Sequence, residues 1–265
     1  MGFLKEYKFA PLYLDKFILT NTFTVMKSYR DLLFCGMLFL CASANADGLL
    51  AFPGACGWGR YATGGRYGSV YHVTNLNDKG TGSLRDAVSQ PNRIVVFDVA
   101  GVINISSRMT FARNLYIAGQ TAPGEGITVY GNGVSFSNST NTICRYMKFR
   151  MGHNGDSGKD AAGIAGGTDM IFDHCSISWG RDETFSINSD GKGELGRITI
   201  MNSIMGQGLL THSAGGLMQA DSITLYRNFY CDNSIPSDKA REACWQGHSS
   251  LAFRLKTFPM WTQCR

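Results

Sequence analysis

I-F-D-H-C-S-I, residues 171–177, is one of five passes of a single phrase along the chain. The others are L-Y-I-A-G-Q-T from Leu115, I-C-R-Y-M-K-F from Ile143, I-T-I-M-N-S-I from Ile198 and I-T-L-Y-R-N-F from Ile223. Successive starts lie 28, 28, 27 and 25 residues apart. Each pass is a short alternating run, a polar bend and a second short run, which reads as two strands. A period in the twenties with no helix in each unit argues a solenoid in which every coil covers the apolar face of the one before. Leucine-rich repeats share the period but need L-x-x-L-x-L and a helical segment, and this chain has neither. A sandwich of antiparallel strands would not hold one phrase in register through five passes. The expected fold is therefore all-β, a right-handed parallel β-helix, with Thr121, Phe149, Ile177, Ile204 and Phe229 sharing the seventh position of the phrase.

Upstream, R-I-V-V-F-D-V-A-G-V-I-N-I (93–105) reads as two strands broken at Gly101, and V-Y-H-V-T-N-L-N-D (70–78) as another. Between them S-L-R-D-A-V-S-Q (83–90) predicts a two-turn helix with Ser83 as N-cap. Set over the open N-terminal end of the solenoid, that helix blocks edge-to-edge pairing. The glycine- and aromatic-rich segment 51–68 is expected to be non-helical. Further back, Lys27 and Arg30 precede an apolar run at 32–42 and the small-residue site Ala44-Asn45-Ala46, the pattern of a secretory signal starting at Met26. The run is too short to span a membrane. The expected division is 1–46 as N-terminal extension plus signal, 47–233 as the β-helix, and 234–265 as a tail outside the repeat.

Composition narrows the class. Apolar residues make up 44% of the 265 and charged residues 17%, which excludes a disordered chain. The net charge of +5 comes without a long basic run, so nucleic acid gains no support as a partner. Cys35 and Cys41 would leave with the signal. Six cysteines remain without C-x-x-C spacing, which argues against a zinc site. Cys144 and Cys175 fall in apolar strand patterns, where buried free thiols are expected.

The chemistry concentrates at 156–188, which carries Asp156, Asp160, Asp169, Asp173, Asp182 and Glu183. Carboxylates on short strands and the turns between them suit a hard cation such as calcium, although turn residues and solvated charges give the same composition. Several longer motifs then fall in order: A-F-P-G-A-x-G-x-G-R-Y-A-T-G-G-R, V-Y-H-V-T-N-L-N-D-x-G-x-G-S-L-R-D-A-V, I-V-V-F-D-V-A-G-V-I, I-A-G-Q-T-A-P-G-E-G-I and F-D-H-C-S-I-S-W-G-x-D-E-x-F-S-I. Together, over roughly 51–233, they resemble the secreted pectate lyases of the parallel β-helix superfamily.

That resemblance implies a secreted, monomeric enzyme, with no membrane attachment once mature, that cleaves polygalacturonate in pectin by calcium-dependent β-elimination. It implies a calcium ligand 13 residues before Asp173, at Asp160, and an acidic ligand on the next coil, at Asp182 or Glu183. On a strand these two neighbours would point to opposite faces, so one of them is expected in the groove. A further family ligand falls on Ser186, which is no carboxylate, and Asp156 is the expected substitute. His212 and Ser213 are expected on the groove rim as sugar-binding residues, Trp179 as packing, and Asp173 with His174 as a bond between coils rather than an acid–base pair. The resemblance also implies a catalytic arginine, but the matching position is Pro236; Arg241 is the nearest arginine after it. Binding without fast turnover is therefore expected. A different β-helix carbohydrate enzyme, such as a polygalacturonase or pectin lyase, and a non-catalytic pectin-binding protein are the alternatives. With the phrase ending at 233, the last coil is expected to expose an unpaired edge.

Overall fold

The computed structural model describes residues 48–209 and 213–233, together with the backbone of 241–247 and 253–254. The extension and signal expected at 1–46 lie outside the described residues. No helix among the described residues is long and apolar enough to cross a membrane.

Three ribbons of parallel strands form a β-helix. The first stacks β1 (Ser69–Val73), β2 (Arg93–Phe97), β5 (Leu115–Ala118), β8 (Thr142–Arg145), β11 (Gly167–Asp173), β14 (Leu195–Met201) and the first half of β17 (Asp221–Cys231). The second stacks β3 (Gly101–Asn104), β6 (Ile127–Tyr130), β9 (Lys148–Arg150), β12 (Ser176–Ser178), β15 (Ile204–Gly206) and the second half of β17. The third holds β4 (Met109–Thr110), β7 (Val134–Ser135), β10 (Ala162–Ile164), β13 (Phe185–Asn188) and β16 (Gly216–Gln219). Helix α1 (Leu84–Ser89) buries Leu84, Ala87 and Val88 against the N-terminal end, and the Ser83 hydroxyl accepts from the Asp86 amide as its cap.

The coil has corners because single residues enter the left-handed region. Asn114, Asn141, Asp169, Arg197 and Ser222 have φ of 54°, 60°, 59°, 52° and 57°, and each stands just before the hydrogen-bonded core of a first-ribbon strand. Tyr146, His174, Asn202 and Arg227 do the same between the first and second ribbons. Among residues with a side chain, asparagine is one of those that tolerate that conformation best, and at the first corner the side chains also bond from coil to coil, Asn114 to Asn92 at 2.9 Å and Asn141 to Asn114 at 3.2 Å.

These corners correct the register expected from the repeated phrase. Ile171 pairs with Ile143 as expected, but its partner on the next coil is Thr199, not Ile198, and on the previous side Ile143 pairs with Tyr116, not Leu115. The inward residues of the first ribbon are accordingly Ile117, Cys144, Phe172, Ile200 and Leu225, all buried. A one-residue slip turns a side chain to the other face. Ile204 and Phe229, taken as equivalents of Ile177, are therefore 45% and 41% exposed, while Met205 and Tyr230 sit inside. The phrase misleads because both faces of the first ribbon are apolar. Ile143 and Ile171 point outward, where segment 51–66 covers them with Ala51, Phe52, Ala55 and Ala62. That segment is fastened by the Gly59 amide to Thr199 Oγ1 at 2.9 Å and the Thr63 amide to Asn141 Oδ1 at 2.7 Å.

Parallel stacking stops at the C-terminal end. Strands β18 (Arg241–Gly247) and β19 (Phe253–Arg254) pair antiparallel with β17 and β16. The edge expected to be open is thus partnered along 223–230, with an irregularity between Leu225 and Asn228. Cys144 and Cys175 are free thiols, buried, with Sγ atoms 4.0 Å apart.

Candidate functional site

The site lies where the chain enters the third ribbon. Asp160 stands two residues before β10, and Asp182 and Glu183 occupy the bend between β12 and β13 on the next coil. The bend docks on the earlier coil through backbone: the Arg181 and Asp182 amides both donate to the Lys159 carbonyl at 3.1 and 3.0 Å, and the Ala161 amide to the Glu183 carbonyl at 3.2 Å. In this register Glu183 lies directly beside Asp160, whose Oδ1 accepts from the Glu183 amide at 3.1 Å.

Carboxylate oxygens of Asp160, Asp182 and Glu183 come within 4.8 Å of one another. The alternation expected to turn one of the last two away does not apply, because they sit in a bend and not in a strand. All three line a pocket of about 410 Å³ together with Arg108, Lys159 and Ser186. Burial raises the Asp160 carboxyl above its usual pKa; hydrogen bonds from Glu183 and the Arg108 charge oppose this, and the Asp182 charge adds to it. Ser186 is buried, and its hydroxyl has no hydrogen-bond partner among the described residues.

The remaining sequence-derived positions fall as follows. Asp156 is exposed outside the cluster and accepts from Asn132 Nδ2 at 3.2 Å. Ser213 is fully buried, and its hydroxyl donates to the Gly180 carbonyl at 2.9 Å, which braces the bend that carries Asp182. His212 and Pro236 lie outside the described residues, and of Arg241 only the backbone is described. Asp173 and His174 lie at the corner between the first and second ribbons, away from the pocket; Asp173 accepts from His174 Nδ1 at 2.7 Å and from Asn202 Nδ2 on the next coil at 2.8 Å. Trp179 meets the Tyr130 ring edge-on at 6.2 Å and donates to Gln207 at 3.0 Å.

Reading the repeat missed Arg108, Lys159 and the support from Asn233. Asn233 Oδ1 accepts from the Thr184 hydroxyl at 2.9 Å, beside Glu183, while its Nδ2 donates to the Met205 carbonyl at 3.2 Å. The third ribbon's strands are two to four residues long, too short to show a period, so nothing in the phrase pointed to the residues beside them.

No family model matches the chain. It is 61% identical over 194 residues to a protein of Aspergillus flavus described as "Probable pectate lyase C", covering 73% of this chain and 45% of that one. The Aspergillus fumigatus protein of the same description is 62% identical over 200 residues, covering 75% and 47%. An Arabidopsis thaliana protein, "Probable pectate lyase 5", is 31% identical over 149 residues, covering 47% of this chain and 35% of its own length. The chain spans just under half the length of the fungal relatives.

Proposed function

We infer that this chain, a homologue of the fungal pectate lyases, is a secreted pectate-lyase-type protein that holds polygalacturonate against a calcium ion bound by Asp160, Asp182 and Glu183. The observation that carries this reading is the convergence of three carboxylates from two coils in one pocket. Calcium takes six to eight oxygen ligands in flexible geometry, and the donor set fits. Three carboxylates supply charge, and the unpartnered Ser186 hydroxyl supplies a neutral oxygen where the resemblance expects a further ligand.

Bound calcium would neutralise charge that builds on the uronate carboxylate as the C5 proton leaves. The chain's part is to hold the three ligands at fixed spacing on paired backbone and to seat the sugar beside them. Proline at 236, where the resemblance calls for an arginine base, favours a second reading in which the protein binds the polymer without cleaving it. Release of unsaturated uronate, followed by ultraviolet absorbance, separates the two readings.

Calcium titrated calorimetrically should bind, and Asp160→Asn should weaken that binding at least tenfold, about 1.4 kcal/mol. Unchanged affinity in the variant removes Asp160 from the site. The raised Asp160 carboxyl also fixes a sign. A carboxyl whose pKa rises on folding opposes folding above its unfolded pKa, about 3.9. Calcium relieves that opposition, so it should raise the melting temperature at neutral pH. The gain should fade on acidification, starting above the ordinary carboxylate range, as Asp160 takes up its proton. A gain that persists unchanged to pH ~3.5 would place calcium elsewhere.

A further inference from the structure

The pocket holds a second feature, a guanidinium that reaches into it from two coils away. Arg108 leaves the chain just before β4, and its Nη1 donates to the Asp160 backbone carbonyl at 3.2 Å. To get there it crosses the coil of β7 and lies over β10. Both crossings are made at glycines. A Cβ on Gly133 would stand 2.8 Å from Arg108 Nη1, and one on Gly163 would stand 3.0 Å from Nη2 and 3.1 Å from Asp160 Oδ2. Neither glycine has a positive φ, so the requirement is for space: at Gly133 a Cβ would also stand 2.4 Å from the Asp160 backbone carbonyl oxygen. At Gly163 the side chains of Arg108 and Asp160 are what require it.

The hydrogen bond to that carbonyl, a neutral group, is the one the Arg108 guanidinium makes among the described residues. Its guanidinium therefore keeps N–H donors for a ligand, in the fork geometry that matches a carboxylate. The lining as a whole carries three carboxylates against Arg108 and Lys159, so a bound divalent cation turns its formal charge from −1 to +1. An anionic sugar is then the complement of the loaded pocket, and Arg108 is the fixed, forked donor beside it.

We propose that Arg108 is a specificity-determining residue that binds a uronate carboxylate of the polymer directly, next to the calcium subsite. This rests on the proposed function and deepens it. The competing role for Arg108 is to balance the three carboxylates, and the two roles separate by titration. Arg108→Gln and Arg108→Lys are titrated with calcium alone, then with oligogalacturonate at saturating calcium, with melting curves alongside. Arg108→Gln should lose about tenfold or more in oligogalacturonate affinity while calcium affinity is retained or rises. Arg108→Lys, which keeps the charge and loses the fork, should recover part of the loss. Oligogalacturonate affinity that is unchanged in Arg108→Gln overturns the assignment, as does a joint fall in calcium affinity, sugar affinity and melting temperature. If the unaltered protein binds calcium but no oligogalacturonate, the proposed function fails and takes this inference with it.

Discussion

Phe136→Ala is expected to lower the unfolding free energy by about 3–5 kcal/mol, read as a shift of the urea midpoint at constant slope. Phe136 is fully buried at the centre of an aromatic stack that runs along the solenoid axis. Its ring stacks on Phe111 at 4.1 Å and meets Phe172 edge-on at 4.9 Å and Phe149 at 5.9 Å, and Phe172 passes the contact on to Phe185 at 5.2 Å. In a solenoid each coil touches its neighbours alone, so stability is nearly a sum of coil and interface terms. Removing this ring empties space between coils that cannot close, because the hydrogen-bonded ribbons on three sides hold the backbone apart. A loss below ~1 kcal/mol would mean that the interior collapses around the cavity and that the stack is not what spaces the coils.

How far the sequence carried the fold depends on which ribbon is considered. In the first, strand length and apolar content gave a visible phrase, and the helix that covers the open end was legible from Ser83 and its following leucine and alanine. The register was not. Leu115 and Ile198 look like equivalents of Ile143 and Ile171, yet they face the interior while Ile143 and Ile171 face segment 51–66. The hydrophobic pattern cannot tell these faces apart, whereas the left-handed corner residues can. In the third ribbon almost nothing was legible from period, and Asp160 was placed by its spacing in the resembled family and not by alternation. Asp182 and Glu183 converge because a bend releases them from strand geometry, a feature that residue types alone do not reveal. Arg108 stands 52 residues before Asp160 and meets it through stacking of coils, so no local pattern joins them.

The Asp173 position tests whether the D-H pair belongs to the site or to the scaffold. Asp173 is 1% exposed and accepts from Arg145 Nε at 2.8 Å, His174 Nδ1 at 2.7 Å and Asn202 Nδ2 at 2.8 Å. These partners come from three successive coils. Arg145 in turn lies over the Phe52 ring at 3.9 Å, so the carboxylate also fixes the cation on which the N-terminal segment rests. Burial alone would lower the Arg145 pKa, but its hydrogen bonds to Asp173 and Tyr116 outweigh burial and raise it. Asp173→Ala leaves this half-buried cation without its carboxylate, and breaking a buried pair in that way costs about 3–5 kcal/mol. Removing the cation as well, in Asp173→Ala with Arg145→Leu, should recover part of that cost, an interaction of about 0.5–3 kcal/mol in a double-mutant cycle. Hydrogen exchange in 51–66 should quicken in Asp173→Ala, since Phe52 loses the anchored guanidinium beneath it. Calcium affinity should stay within about twofold, because the pocket lies on the third ribbon and shares no side chain with this corner. A variant that keeps its stability but loses calcium or sugar binding would move Asp173 and His174 from the scaffold into the site.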